Sequence, residues 1–261
     1  MDKIQPEILP HIRWCPTGPL AFLPLHAAGA YDTIASGEKL SDYAVSSYTP
    51  TLTALLEQKP EMLEDFQILT VAQPSTPYAK PLPGTEDEVN RVKDLAGNLR
   101  VESLTKETAT VEHVWQGMKS STWIHLACHG QQNYDNSMKS GFLLHDGILE
   151  LSEIVEEPLP KANFAFLSAC QTATGDEKVA EESVHLAAGM LFAGCRSVVA
   201  TMWSIDDEDA PKVAEDVYRH MLKDGQPNRK EAARALHEAV KHLRDSGAGF
   251  LSWVPFIHIG W

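Results

Sequence analysis

The stretch WIHLACHG, residues 123–130, is a mostly apolar run that ends in a histidine and a glycine. A second run, NFAFLSAC at residues 163–170, has the same form and ends in a cysteine. Near-continuous apolar runs of this length are typical of parallel strands that are covered on both faces of a sheet. The two stretches therefore predict neighbouring buried strands, each of which ends at a reactive residue.

The sequence around these runs alternates between strand and helix patterns from Phe66 onward. Apolar, β-prone segments occur at 66–74, 100–104 and 196–203, and amphipathic segments separate them. This alternation predicts an α/β fold: a mostly parallel sheet between two layers of helices. The first helix is expected over 83–97, with Thr85 as its N-cap, Glu88 three residues on completing a capping box, and Gly97 as its stop.

In a sheet of this kind, functional sites lie at the carboxyl ends of the strands. His129 and Cys170 stand at those ends, so we expect them to share one edge of the sheet. An imidazole beside a thiol favours the thiolate, which is a strong nucleophile toward carbonyl carbon. The amides of Gly130 and Cys170 are candidate donors to the oxyanion that forms in acyl transfer.

Each of these residues also has a purely structural interpretation. A cysteine at the end of an apolar run is often a small buried hydrophobe, and a histidine there is often a hydrogen-bonded core residue. Cys128, His125 and His185 are expected to be structural in this sense. The pattern alone leaves both interpretations open.

The amino-acid composition and net charge exclude several classes of partner. The 261 residues carry a formal net charge of −14, which argues against nucleic acid or an anionic membrane as the main partner. No signal-peptide or membrane-spanning pattern is present, so we expect a soluble, cytoplasmic protein. Metal-ligand and nucleotide-loop motifs are absent from the sequence, so we expect neither a metal nor any other cofactor.

The first sixty residues differ from the rest. HIRWCPTGPLAFLPLHAA, residues 11–28, predicts two short strands around a Pro-Thr-Gly-Pro turn. We therefore expect residues 1–60 to form an N-terminal β-hairpin subdomain packed on a main domain of residues 61–261. A short helix is expected to begin near Thr51, after Pro50.

Four segments together resemble a known family. WIHLACHG, FLSACQTATG, HLAAGMLFAGCRSVVATMWSIDD and GPLAFLPLHAA resemble the CHAT domain, a caspase-like group of clan CD cysteine peptidases related to separase. The resemblance covers the chain from about residue 8 to its end, with the motifs in the family's order. It implies the caspase–hemoglobinase three-layer sandwich, with His129 and Cys170 at the positions of the family's catalytic pair.

The resemblance also implies partners. CHAT domains often follow tetratricopeptide or other helical repeats, and none occurs in these residues, so we expect an isolated peptidase domain. A protein substrate, and a tetratricopeptide-repeat region or an activator protein, are the expected partners.

A substrate pocket is expected after the strand at 196–203. MWSIDD, residues 202–207, resembles the Leu-Trp-Asp-x-Thr-Asp stretch of separases, with Ser204 in place of the first aspartate. We expect Trp203, Asp206 and Asp207 to line the pocket, with Asp176 as a competing carboxylate, and cleavage to follow a basic residue. The alternative is that these aspartates cap the next helix.

Two function hypotheses follow from the sequence. The first is a cysteine endopeptidase that uses the His129–Cys170 dyad and is regulated by a partner or an attached repeat region. The second is a catalytically silent scaffold or signalling module that binds partners through its acidic surface. The reactivity of Cys170 relative to Cys15 and Cys195 distinguishes them.

Overall fold

Ten strands form one sheet in the part of the chain that the structure describes. The structure is a computed structural model, and it describes residues 8–31, 38–53, 65–77, 79–131, 133, 135–171 and 182–261. The strands are β1 (His11–Trp14), β2 (Val45–Tyr48), β3 (Gln67–Ala72), β4 (Arg100–Thr105), β5 (Trp123–Gln131), β6 (Gly141–Leu143), β7 (Ile148–Glu150), β8 (Phe164–Gln171), β9 (Ser197–Thr201) and β10 (Phe256–Gly260). The α-helices are α1 (Gly84–Ala96), α2 (Val111–Ser120), α3 (Leu151–Glu156), α4 (Glu182–Ala193), α5 (Ala210–Met221), α6 (Ala232–Asp245) and α7 (Phe250–Trp253).

The strands are arranged in the order β1-β2-β10-β9-β8-β5-β3-β4. Neighbours in this order are parallel except β10 and β9, which are antiparallel. The β6–β7 hairpin pairs with the end of β5. The prediction of a mostly parallel sheet is therefore confirmed, and β5 and β8 lie side by side at its centre.

Helices cover both faces of the sheet. Helices α2, α3 and α4 pack on one face, with Met118, Ile154 and Met190 in its core. Helices α1, α5 and α6 pack on the other, around Val92 and Val217. Each central strand is thus buried on both sides, which explains why its sequence is apolar without alternation.

The hairpin predicted for residues 11–28 is wrong. Strand β1 forms, but it pairs in parallel with β2, with His11 opposite Val45. Short 3-10 helices occupy Gly18–Phe22 and Leu25–Ala27 where the second strand was expected. Prolines lie throughout this segment, and a proline cannot donate to a strand ladder, so the chain turns instead of extending. The division at residue 60 stays a prediction, because residues 54–64 lie outside the described residues.

The start of the first helix also differs from the prediction. Helix α1 begins at Gly84, so Thr85 lies inside the first turn, and its hydroxyl donates to the carbonyl of Leu82. Gly97 ends the helix as expected, with a φ of +57° that glycine adopts without strain. The helix expected near Thr51 falls mostly on residues outside the described ranges.

Candidate active site

The two predicted reactive residues stand opposite each other in the sheet. The register of β5 and β8 pairs the Cα of His129 with the Cα of Cys170, and Gly130 with Gln171. Both strands run in the same direction, so these pairs lie at their carboxyl ends. The side chain of Cys170 lies outside what the structure describes, and its placement here rests on the backbone register.

Aromatic packing holds the amino end of β5. Trp123 is 1% exposed, and its ring lies edge-on to Phe164 at 5.3 Å and to Phe66 at 5.1 Å between centroids. Tyr218 of α5 packs on the same ring at 6.0 Å. Such pairs add directional contacts to a large buried area. The strand that carries His129 is therefore anchored well inside the core.

A backbone carbonyl orients the His129 ring. Nε2 of His129 lies 2.6 Å from the carbonyl oxygen of Lys80, and the residue is only 3% exposed. A carbonyl oxygen accepts and cannot donate, so Nε2 carries the proton in this contact. In the neutral imidazole the other nitrogen, Nδ1, is then the one able to accept a proton.

The loop that supplies this carbonyl is itself held at both ends. Leu82 donates its N–H to the carbonyl of Pro74 at 2.8 Å, closing the loop on itself. The N–H of Gly84, at the start of α1, donates to Oδ2 of Asp207 at 2.6 Å. Asp207 thus reaches from the segment after β9 to the helix that follows the Lys80 loop.

Gly130 lies between two other strands. Its Cα is opposite Gln171 in β8 and Phe142 in β6. Phe142 is fully buried, and a Cβ on Gly141 would lie 2.1 Å from the carbonyl oxygen of Leu149. The β6–β7 hairpin therefore packs closely, with glycine required at that contact, and it borders the end of β5.

A second histidine of β5 is buried with a carboxylate. Nε2 of His125 lies 3.0 Å from Oε1 of Glu88 on α1, and the two side chains are 0% and 2% exposed. Nδ1 of His125 lies 3.3 Å from the hydroxyl of Tyr218, and the ring stacks on Phe166. Burial, with the nearby Glu88 charge, raises the pKa of Tyr218 well above its usual value. His125 thus ties β5 to α1 and α5 in the interior.

Burial makes Cys128 and Cys195 poor nucleophile candidates. Cys128 is fully buried, and burial raises the pKa of the Cys195 thiol to about 12. Cys15 is half-buried. A thiol with a raised pKa is unreactive near neutral pH, because little of it is thiolate.

The predicted pocket residues follow β9. Trp203 is half-buried and packs against the hydrophobic cores on both faces of the sheet. Asp206 is exposed. Asp206 and Asp207 line a groove of about 660 Å³ between this segment and the residues that follow α6. Asp176 and His185 were also singled out: Asp176 lies outside the described residues, as does the His185 side chain.

Helix α5 begins at Ala210, and Asp209 occupies its N-cap position without a side-chain cap bond. Asp207 binds the start of α1 instead. The alternative prediction, that Asp206 and Asp207 cap the next helix, is therefore wrong for α5.

Neither a metal-binding cluster nor a membrane-spanning helix occurs in the described residues. No cluster of three or more His, Cys, Asp or Glu side chains there has a metal-binding arrangement. Among the same residues, every helix is too short or too polar to cross a bilayer.

The profile of the CHAT domain matches residues 1–261, the whole of the sequence. The chain belongs to the CHAT domain family. A comparison with curated proteins finds no match.

Solved structures with a similar fold include a separase and an Arg-specific cysteine proteinase. Separase of Saccharomyces cerevisiae, in its complex with securin, is similar with a TM-score of 0.56 and 17% identity over 85% of this chain. The RgpB pro- and mature-domain complex of Porphyromonas gingivalis has a TM-score of 0.58 and 10% identity over 83%. The Arg-specific cysteine proteinase gingipain R has a TM-score of 0.54 and 12% identity over 83%.

These similarities establish the fold of the CHAT domain as caspase-like. The matched region is 14% of the separase chain and 54% and 55% of the two gingipain chains. The chain thus spans much less than the full length of these proteins.

Sequence reasoning missed three contributors to the site. Lys80 acts through its backbone carbonyl, which no side-chain pattern reveals. The contact between Gly84 and Asp207 joins residues that are 123 positions apart in the chain. Glu88 was assigned to a capping box, and its burial against His125 follows only from the packing of α1 on the sheet.

Proposed function

We propose that this CHAT domain is a cysteine endopeptidase, with Cys170 as nucleophile and His129 as general base and then general acid. The observation that supports it is the backbone register that pairs these two residues at the carboxyl ends of parallel strands. Membership of the CHAT family and the caspase-like fold agree with this role.

The orientation of His129 supports a defined proton path. Because Nε2 is engaged by Lys80, Nδ1 accepts the thiol proton of Cys170 as the sulfur attacks the peptide carbonyl carbon. When the carbon–nitrogen bond breaks, Nδ1 returns that proton to the departing amine. Water then hydrolyses the thioester, with Nδ1 taking its proton and returning it to sulfur.

The developing oxyanion needs donors that are in place before the reaction. We assign this role to the amides of Gly130 and Cys170, which adjoin the reacting pair. Removing one such donor typically costs about 10²–10³ in kcat.

Substrate selection is assigned to the segment after β9. The acidic groove lined by Asp206 and Asp207 supports a preference for Lys or Arg before the scissile bond, with Trp203 beside it. The contact of Asp207 with the start of α1 brings this segment close to the Lys80 loop, which favours a pocket near His129. Asp176 remains the competing carboxylate.

The physiological substrate is a protein, and we propose that an activator or a tetratricopeptide-repeat region regulates the domain. On this proposal, the isolated domain has low basal turnover. High turnover of the purified chain without a partner would contradict the regulatory part alone.

Alkylation by iodoacetamide tests the dyad without knowledge of the substrate. We expect Cys170 to react faster than the half-buried Cys15 near neutral pH, with a midpoint below the ordinary thiol value of about 8.5. His129→Ala should return the Cys170 midpoint to the ordinary range. Equal rates at Cys170 and Cys15 in the parent would instead favour the scaffold hypothesis.

Cleavage of a peptide library tests the reaction itself. Cys170→Ala and His129→Ala should each lower turnover by about 10³-fold or more while circular dichroism stays unchanged. Cys195→Ala is the matched control, because that thiol is buried and protonated. Turnover that survives in Cys170→Ala would refute the proposal, and a preference for Asp would refute its specificity.

A further inference from the structure

We propose that Asp207 is a positioning residue: it fixes the start of α1 and, through it, the Lys80 carbonyl that orients His129. The inference rests on the proposed function, since it concerns the same dyad. It gives Asp207 a task inside the protein that is distinct from contact with a substrate side chain.

The contact between Asp207 and Gly84 is short and close-packed. Oδ2 of Asp207 accepts the N–H of Gly84 at 2.6 Å. A Cβ on Gly84 would lie 2.4 Å from the carbonyl oxygen of Asp207 and 2.9 Å from its Cγ. Any side chain at residue 84 would therefore force the two segments apart. Glycine is needed here for close approach, as at other tight backbone contacts.

Charge strengthens the contact. Gly84 is the first residue of α1, so its N–H belongs to the unpaired group at the helix N-terminus. A carboxylate is favoured at this position by the partial positive charge of the helix end. The hydrogen bond is also charge-assisted, which makes it stronger than a bond between neutral groups.

The connection from Gly84 to His129 is short. Between Gly84 and Lys80 lie three residues, and Leu82 is bonded to Pro74 at 2.8 Å. The hydroxyl of Thr85 holds the carbonyl of Leu82, also at 2.8 Å. A shift at Gly84 is therefore transmitted to the Lys80 carbonyl, 2.6 Å from Nε2 of His129.

Helix α1 is held again one turn further on. Glu88 is buried against His125, which belongs to the same strand as His129. With Glu88 fixed in the interior, the helix cannot slide to compensate for a lost contact at its first residue. Loss of the Asp207 contact is therefore expected to move the loop before the helix.

Four variants test the inference in the full chain. Asp207→Ala removes the acceptor, Gly84→Ala forces the segments apart, and the double variant combines them. Asp207→Asn keeps an oxygen that can accept the N–H of Gly84. Asp87→Ala is the matched control: it removes an exposed carboxylate from the same helical turn, where it pairs with Arg91.

The readout is the pH profile of Cys170 alkylation by iodoacetamide. Asp207→Ala and Gly84→Ala should each move the midpoint toward about 8.5, as expected for a thiol that has lost an aligned imidazole. Library turnover should fall about 10–100-fold in kcat, because small misplacements of a catalytic group are costly. Gly84→Ala keeps both groove carboxylates, so it should not change the preferred residue before the cleaved bond, whereas Asp207→Ala should also weaken the preference for Lys or Arg.

Non-additivity strengthens the test. The double variant should resemble either single variant, since both break one contact. Asp207→Asn should keep most of the parent's reactivity, and Asp87→Ala should keep all of it. Thermal unfolding of each variant separates a loss of fold from a loss of alignment.

Three results would overturn the inference. The first is an Asp207→Ala profile equal to that of the parent while His129→Ala shifts it. The second is a change in residue preference alone, which would make Asp207 a specificity residue. The third is a parent profile equal to that of His129→Ala, which would refute the dyad and this inference with it.

Discussion

Replacing His258 by asparagine should change how stability depends on pH. His258 is 1% exposed in β10 and lies between two serines: Nδ1 is 2.6 Å from the Ser47 hydroxyl, and Nε2 is 2.7 Å from that of Ser197. His11 extends this row of hydrogen-bonded side chains, because its Nε2 also lies 2.6 Å from the Ser47 hydroxyl. These four residues, on β1, β2, β10 and β9, connect adjacent strands across one end of the sheet.

The magnitude follows from the pKa of the buried ring. Burial, with smaller effects of His11, Arg229 and Arg13, lowers the pKa of His258 from 6.5 to about 3. The unfolded chain therefore binds one more proton than the folded chain between these values, and stability falls as the pH drops below 6.5. At about pH 5 this one group should cost about 2 kcal/mol relative to neutral pH.

Urea unfolding at a series of pH values measures the effect. We expect the slope of unfolding free energy against pH, from about pH 6 to about pH 4, to be smaller in His258→Asn by about 1.4 kcal/mol per unit. Asparagine can bond both serines, and any constant loss of stability leaves the slope unaffected. The exposed His145→Asn reports the effect of removing a histidine in general. Equal slopes in the parent and His258→Asn would refute the reasoning.

Two further substitutions test the packing. Glu88→Ala should lower the unfolding free energy by about 1–3 kcal/mol, because it leaves Nε2 of His125 buried without the carboxylate beside it; the half-exposed Glu86→Ala should cost less than about 1 kcal/mol, and equal losses in denaturant titrations would contradict the prediction. Gly189→Ala should cost about 1–3 kcal/mol, since its Cβ would lie 2.1 Å from Cδ1 of Leu151. Adding Leu151→Ala should reduce the penalty of Gly189→Ala in thermal unfolding, and a purely additive double variant would show that this contact is not the cause.

The central strands were predictable because burial on both faces leaves a direct record in sequence. The runs that end at His129 and Cys170 are apolar throughout, and the structure makes them neighbours in register. The partner of β1 was not predictable in the same way. Its pairing with β2 depends on a distant segment, while local turn residues suggested a hairpin.

The residues of the candidate site likewise fall into those that the sequence could identify and those that only the fold reveals. His129 and Cys170 could be predicted, because each has a reactive side chain at the end of an apolar run. The Lys80 carbonyl was not, because every residue carries a carbonyl and only the folded loop selects one. The role of Glu88 depended on which side of α1 packs on the sheet. The sequence predicted that Glu88 forms a capping box with Thr85, whereas it is buried beside His125.

The position of β10 constrains the order in which the protein can assemble. This strand lies between β2 and β9, so β1 and β2 reach the rest of the sheet only through it. Ser47 and His258, which bond across that junction, are 211 residues apart in the chain. At synthesis rates of about 5–20 residues per second, the early strands wait roughly 10–40 s for the neighbour that completes their pairing. A β1–β2 pair formed during that interval would present the edge of β2 without its neighbour, and an unpaired strand edge is able to pair with another chain.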